Sequence, residues 1–211
     1  GKERIAMFNS LTKYLHFIWA GLAQHGQTGG IVPSQRFLIA RMIAPVPKAY
    51  RGLIIELGAG NGALTLRLAA RCPGARILAC EINPTLARDN RDNLTRAGID
   101  GIVEVIADSA ERVLLEMGRR GNEKPDYVIS GLPLGNLGGE KVLSLLDAIN
   151  QTLGEGGIYI QFQHSLLGRT KIRARFPNTR TVPVFLNFPP AVVYYAKKTS
   201  ASRAQAEGTV S

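Results

Sequence analysis

Cysteine is scarce: only Cys72 and Cys80 occur in the 211-residue chain. The pair supplies neither a disulfide framework nor metal-ligand spacing, so no metal is expected. Cys80 falls in an apolar run and is expected as a small buried hydrophobe. No apolar run is long enough to span a bilayer. No secretory leader is evident either, since no apolar stretch precedes a small-residue cleavage site, and a reducing cytosol is the expected compartment. Acids are outnumbered, 16 against 26 lysines and arginines, giving a net charge of +10. The excess is uneven. Positions 165–206 hold eight basic residues and no acid, and positions 1–50 hold six against Glu3 alone. Such a field attracts anionic polymers or anionic lipid surfaces and does not choose between them. Apolar residues make up 45%, enough for one globular domain with a substantial core.

Two nucleotide signatures are also missing. No Gly-Lys-Ser/Thr follows a glycine loop, and the G-x-G-x-x-G of dinucleotide folds is absent. What stands instead is Leu53-Ile54-Ile55-Glu56-Leu57-Gly58-Ala59-Gly60-Asn61-Gly62. A strand-forming run ends in an acid and a three-glycine turn, and a helical stretch follows from Ala63. Glycine lets backbone approach a ligand, and in an open α/β sheet this turn lies where nucleosides bind. The next strand ends in Glu81, placed to accept from both ribose hydroxyls. A third ends in Asp108, suited to an exocyclic amine, with Ser109 beside it for the ring edge.

Strands are expected at 53–57, 76–81, 102–107, 126–130 and 157–163, and helices at 35–42, 63–71, 84–97, 109–118 and 139–152. Pro84 opens its helix where a missing N–H is harmless. The alternation predicts a parallel sheet covered on both faces. Runs near 179–186 and 191–197 read as an antiparallel edge pair. Ile5 to Leu22 reads as an amphipathic helix, with Tyr14 and Trp19 widening its apolar face; it suits a lipid headgroup boundary or packing on protein. The tail 199–211 is small and polar and expected as disordered.

The loop after the fourth strand is Ser130-Gly131-Leu132-Pro133. It lacks the aromatic that stacks on a flipped base, which counts against a nucleic-acid substrate. With Thr28 to Ser34, Glu56 to Gly62, Gln161-Phe162 and Asn187-Phe188-Pro189-Pro190-Ala191, this loop resembles the bacterial phospholipid N-methyltransferases. The resemblance covers most of the domain. It implies an α/β, Rossmann-like class I methyltransferase fold: a mostly parallel seven-stranded sheet with an antiparallel edge hairpin and an extra N-terminal amphipathic helix. It implies S-adenosylmethionine as cofactor and stepwise methylation of phosphatidylethanolamine towards phosphatidylcholine. The implied organisation is a membrane-binding or lid segment over 1–50, a catalytic domain over 51–198 and the tail. The implied setting is a monomer, peripheral on the inner face of the cell membrane, binding anionic lipid and no nucleic acid. Many members carry Tyr where this chain has His164.

The expected cofactor set is Ser34, Glu56, Gly58, Ala59, Gly60, Gly62, Glu81, Ile82, Asp108, Ser109 and Ser130. A neutral amine must attack, while an ammonium with a pKa of about 10 carries a proton to be removed. His164 is the candidate base, or else merely finishes its strand; a water held by the carbonyls of Ser130, Gly131 and Leu132 is the other route. Tyr14, Trp19 and Tyr159 are candidates for cation–π contact with a methylated amine, or are plain packing. Arg169, Lys171 and Arg173 are candidates for the lipid phosphate, or a solvated basic face. Two other readings stand beside this one: a ribosomal-RNA or DNA adenine N6-methyltransferase of related fold, and a nucleoside-binding module without catalysis.

Overall fold

The structure, a computed structural model, describes residues 35–120, 123–166, 168–187 and 189–199. Ser34, Tyr14, Trp19, the helix expected over 5–22 and the tail from 200 lie outside the described residues.

Seven strands are described: β1 (Leu53–Leu57), β2 (Arg76–Cys80), β3 (Val103–Ile106), β4 (Tyr127–Ser130), β5 (Ile158–Gln163), β6 (Asn178–Val184) and β7 (Ala191–Lys197). Between them lie α1 (Gln35–Ile43), α2 (Ala63–Arg71), α3 (Pro84–Ala97), α4 (Ala110–Arg120), α5 (Gly139–Thr152) and α6 (Arg169–Arg175). They form one sheet in the order β3-β2-β1-β4-β5-β7-β6. β3 to β5 run parallel, and β7 pairs antiparallel with both β5 and β6. The expected α/β fold, a mostly parallel seven-stranded sheet with an antiparallel edge hairpin, is therefore the observed one.

β1 is buried along its whole length, which is why its sequence is a continuous apolar run and not an alternating one. One face of the sheet packs on Val113, Leu114, Leu145, Ile149, Ile172 and Phe176 from α4, α5 and α6. The other packs on α1 and α2 through Leu38, Ile39, Met42, Leu68 and Ala69. α1 is thus built into the sheet face, and Tyr195 donates to the Arg41 carbonyl at 2.6 Å.

Sequence order reverses between β1 and β4, and the reversal opens a crevice at the carboxyl ends of the strands. α3 starts where the sequence predicts. Asn83 caps it by accepting from Thr85 and Leu86 at 2.9 and 3.3 Å, and Gly98, with φ 66°, ends it. α6 is not foreseen by periodicity. Its seven residues bury Ile172 alone, and only Phe176 just beyond continues that apolar face.

Candidate active site

Backbone hydrogen bonds carry the sheet past its strand ends and shape the crevice. The amides of Gly58 and Ala59 both donate to the Cys80 carbonyl at 2.9 Å. Glu81 N donates to Ile106 O at 3.0 Å, and Gly131 N to Leu57 O at 2.9 Å. The loops after β1, β2 and β4 are thereby held side by side. Gly58, Gly60 and Gly62 take φ of 75°, 57° and 92°, a region other residues enter only with strain. A Cβ at Gly58 would stand 3.0 Å from Leu132 Cδ2, and one at Gly62 would stand 2.2 Å from Asn90 Oδ1. The glycines therefore also let two neighbouring elements close in.

Glu81 is 3% exposed and already organised. One carboxylate oxygen accepts from Gly60 N at 2.8 Å and the other from Asn83 N at 2.9 Å. Each oxygen keeps a further lone pair, so the carboxylate can still receive two hydroxyls. Asp108 accepts from Ser109 N at 2.7 Å and pairs with Arg112 at 3.4 Å. Ile82 stays half-exposed between the tips of β2 and α3. Acceptors at two strand tips, an apolar side chain between them and a backbone free of Cβ atoms suit an adenosyl group. That is the chemical fit the expected cofactor demands.

Glu56 plays a different part. Its carboxyl lies beneath the glycine loop, 3% exposed, and accepts from the Thr65 hydroxyl at 2.7 Å. Thr65 in turn accepts from Asn90 Nδ2 at 3.3 Å. Burial pushes the Glu56 pKa up to about 8, against a lowering by the Thr65 bond, and the charge of Glu81 adds to the rise. Thr65 and Asn90 complete this underlayer and were not expected from sequence. A threonine in the first turn of one helix and an asparagine in the middle of the next look the same in sequence whether they face the site or solvent.

On the acceptor side, the structure holds the Leu132 carbonyl instead of leaving it open. Gln161 Nε2 donates to it at 2.9 Å and Gln163 Nε2 at 3.2 Å. Gln161 Oε1 accepts from the Tyr159 hydroxyl, and Leu132 N donates to Ser130 Oγ at 3.2 Å. Side-chain amides thus brace the Ser130–Leu132 loop, and Leu132 O is not an open acceptor for an amine or its water. Tyr159 does not reach the crevice. It is fully buried, with its ring centroid 5.6 Å from that of Phe176. The aromatic beside the loop is Phe162, whose Cε1 lies 3.6 Å from where a Gly131 Cβ would stand.

His164 sits edge-on to Phe162 at 5.6 Å. Its Nδ1 lies 3.1 Å from the Pro190 carbonyl. A carbonyl only accepts, so Nδ1 is the donor of this pair, and Nε2 is the ring nitrogen not engaged by it. Arg169, Lys171 and Arg173 all lie on α6. Lys171 Nζ lies 3.6 Å from where a Cβ on Gly139, the first residue of α5, would stand. Among the described residues no cluster of metal-ligating side chains occurs.

Two predictions follow from the glycine loop and the acid beneath it. Gly62→Ala combines a positive φ with a collision at Asn90, so thermal unfolding should show a loss of about 1–3 kcal/mol, and calorimetry a weaker cofactor site. Unchanged melting and cofactor affinity would contradict the tight packing. The Glu56 pKa is raised above its unfolded value near 4.5. Its favourable contribution is complete below about 4.5 and fades as pH rises to about 8. Wild-type melting temperature should therefore fall more steeply than that of Glu56→Gln across this window, by up to ~1.4 kcal/mol per pH unit. Parallel profiles would show the carboxyl to be ionised throughout.

Comparison with known proteins agrees with this geometry. Residues 54–157 match the family model described as a methyltransferase domain. The ornithine lipid N-methyltransferase of Singulisphaera acidiphila is 28% identical over 178 residues, covering 82% of this chain and 91% of that protein. Among solved structures, the SAM-dependent methyltransferase from Agrobacterium tumefaciens superposes with a TM-score of 0.65 at 14% identity, over 81% of this chain and 64% of that one. The T. Thermophilus 16S rRNA N2 methyltransferase, solved with AdoMet and guanosine, gives 0.61 at 20% identity, over 82% and 45%. Residues 54–157 thus resemble a methyltransferase domain, and the fold is that of the S-adenosylmethionine-dependent methyltransferases.

Proposed function

We propose that the protein methylates the amine of a membrane lipid headgroup, phosphatidylethanolamine on the way to phosphatidylcholine, while resting on the inner face of the cell membrane. The observation that carries the lipid reading is an apolar rim around the crevice mouth. β6 runs in the direction of β5, so the turn after β6 and the segment after β5 leave the sheet at the same carboxyl edge. Phe185, Leu186 and Leu166 stand there 79%, 68% and 55% exposed. His164, bonded to Pro190, joins the two loops. Large apolar side chains in water beside a catalytic crevice mark a surface that meets something apolar. The similarity to an ornithine lipid N-methyltransferase supports the same class of acceptor.

S-adenosylmethionine is the methyl donor of this fold, and its sulfonium supplies a methyl group already activated for transfer. The protein therefore has to align and deprotonate. Glu81 and Asp108 hold the ribose and the adenine, and the glycine turn lets the backbone lie against the donor. Gly131 and the braced Leu132 fix the approach of the nitrogen. His164 Nε2 takes the proton from the headgroup ammonium, so that a neutral nitrogen lone pair attacks. Phe162 offers a ring face to the cation that accumulates as methyls are added, a contact worth roughly 0.5–2 kcal/mol.

Labelled cofactor incubated with mixed phospholipid vesicles and with total RNA should mark amino lipid alone. Label in RNA with none in lipid would replace this reading by the adenine-methyltransferase one. The rim has its own check in vesicle flotation. Replacing Phe185 and Leu186 together by serine removes two side chains worth about 1.5–3 kcal/mol each when fully buried, so vesicle affinity should drop at least tenfold with cofactor affinity kept. Undiminished flotation would place the lipid-facing surface elsewhere.

A further inference from the structure

One row of side chains crosses four strands, from the tip of β4 to the middle of β6. Ser130 of β4 is in register with Gln161 of β5, Gln161 with Tyr194 of β7, and Tyr194 with Thr181 of β6. Paired residues of neighbouring strands share a face, so all four lie on the side that α6 covers. Three of them carry hydroxyls and the fourth an amide, deep in a sheet otherwise lined by aliphatic and aromatic side chains.

The inner part of this row is fully used. Ser130 and Gln161 are bonded to the Leu132 loop. The outer part is not. Tyr194 is fully buried and its hydroxyl has no partner; Thr181 Oγ1 and Arg169 Nε are likewise buried and unpartnered. These are three of the five such atoms among the described residues, and all belong to β6, β7 and α6. The Arg169 and Arg173 guanidinium charges are close enough to offset part of the rise that burial imposes on Tyr194. Asp147, which bonds to α6, is committed to Arg175.

Unpartnered buried polar groups cost roughly 1–3 kcal/mol each, so several in one place call for a missing partner. Its chemistry can be read from the set. Arginine nitrogen only donates, and each hydroxyl can donate, so what is lacking is an acceptor. With two positive charges at hand, the acceptor is an anion.

We propose that Tyr194, Thr181 and Arg169, with Arg173 at the outer side, form a subsite for the oxyanion of the amino lipid headgroup. The inference rests on the lipid reading above and deepens it, because it adds a group the substrate must carry besides its amine. Tyr194 stands two strand spacings from Ser130, about 10 Å, the scale of a headgroup that bears both charges. A phosphate diester and an amino-acid carboxylate present the same oxyanion at this end, and the substrate range separates them.

Tyr194→Phe removes one oxygen and nothing else. If the hydroxyl waits for a ligand, its loss leaves the melting temperature equal or higher. The preference for an anionic amino lipid over an anion-free long-chain amine, as a ratio of kcat/KM, should fall on the order of tenfold. Phosphatidylethanolamine and an N-acyl-ornithine lipid, run as separate arms, tell phosphate from carboxylate by which one loses its advantage. Inorganic phosphate alone should raise the melting temperature of the wild type and not of Tyr194→Phe. This last arm holds even if no lipid is methylated, so failure of the subsite and failure of the lipid reading are distinguishable. A lower melting temperature in the variant, an unchanged ratio with both lipids, or an equal response to phosphate would each overturn the subsite.

Discussion

The Cys80 carbonyl receives two amides, Gly58 and Ala59, each at 2.9 Å, and much of the site hangs on that shared acceptor. A parallel strand normally gives its last carbonyl to a neighbour in the ladder. Here β2 gives it to the turn that leaves β1, so the turn folds over the strand end instead of running on. The price is a backbone with positive φ at Gly58, which only glycine meets without strain. What the arrangement secures is adjacency. Glu81 follows Cys80 directly, and its carboxylate closes the loop from the far side by accepting from Gly60. Loop and acid hold one another in the geometry that a nucleoside needs, before any ligand is present.

Beneath that surface lies a second layer that trades stability for shape. An acid as deeply buried as Glu56 is tolerated by being protonated near neutrality and by accepting from Thr65. Thr65 passes the constraint to Asn90, and Asn90 sits where Gly62 must lack a Cβ. The loop is therefore shaped from below by β1, α2 and α3 together. A cationic ligand above would favour ionised Glu56, which ties the proton count of the apo protein to occupancy of the crevice.

Much of this was legible in the sequence because it depends on local chemistry. Glycine turns, acids at strand tips, the Pro84 helix start and the alternation of strands and helices follow from backbone sterics and periodicity. The strands at 53–57 and 191–197 and the helices at 63–71, 84–97 and 139–152 stand where the pattern puts them. What was not legible depends on which way a side chain points once strands are in register. Tyr159 has the composition of a cation–π residue, but its parity in β5 sends it into the core beside Phe176, while Phe162 goes to the other face. The Leu132 carbonyl looked free because its partners, Gln161 and Gln163, lie about thirty residues away in sequence. α6 escaped notice because a seven-residue helix with one buried side chain has no period to read.

The two halves of the crevice are built from opposite chemistry. On the side of β1 to β3 the tips carry Glu81 and Asp108; on the side of β5 to β7 and α6 stand amides, hydroxyls and the guanidinium groups of Arg169 and Arg173. A sulfonium donor is positive, and the headgroup of the proposed lipid substrate carries an anion besides its amine, so each half suits one of these two charges. On the proposed reading the amine, which must lose its charge to react, would meet the boundary between them at the Ser130–Leu132 loop, where bracing comes from neutral amides. A charged side chain at that boundary would stabilise the ammonium or compete with the sulfonium, and either effect would raise the barrier to transfer. The neutrality of the seam between two charged halves is thus as much a part of the site as the charges on either side.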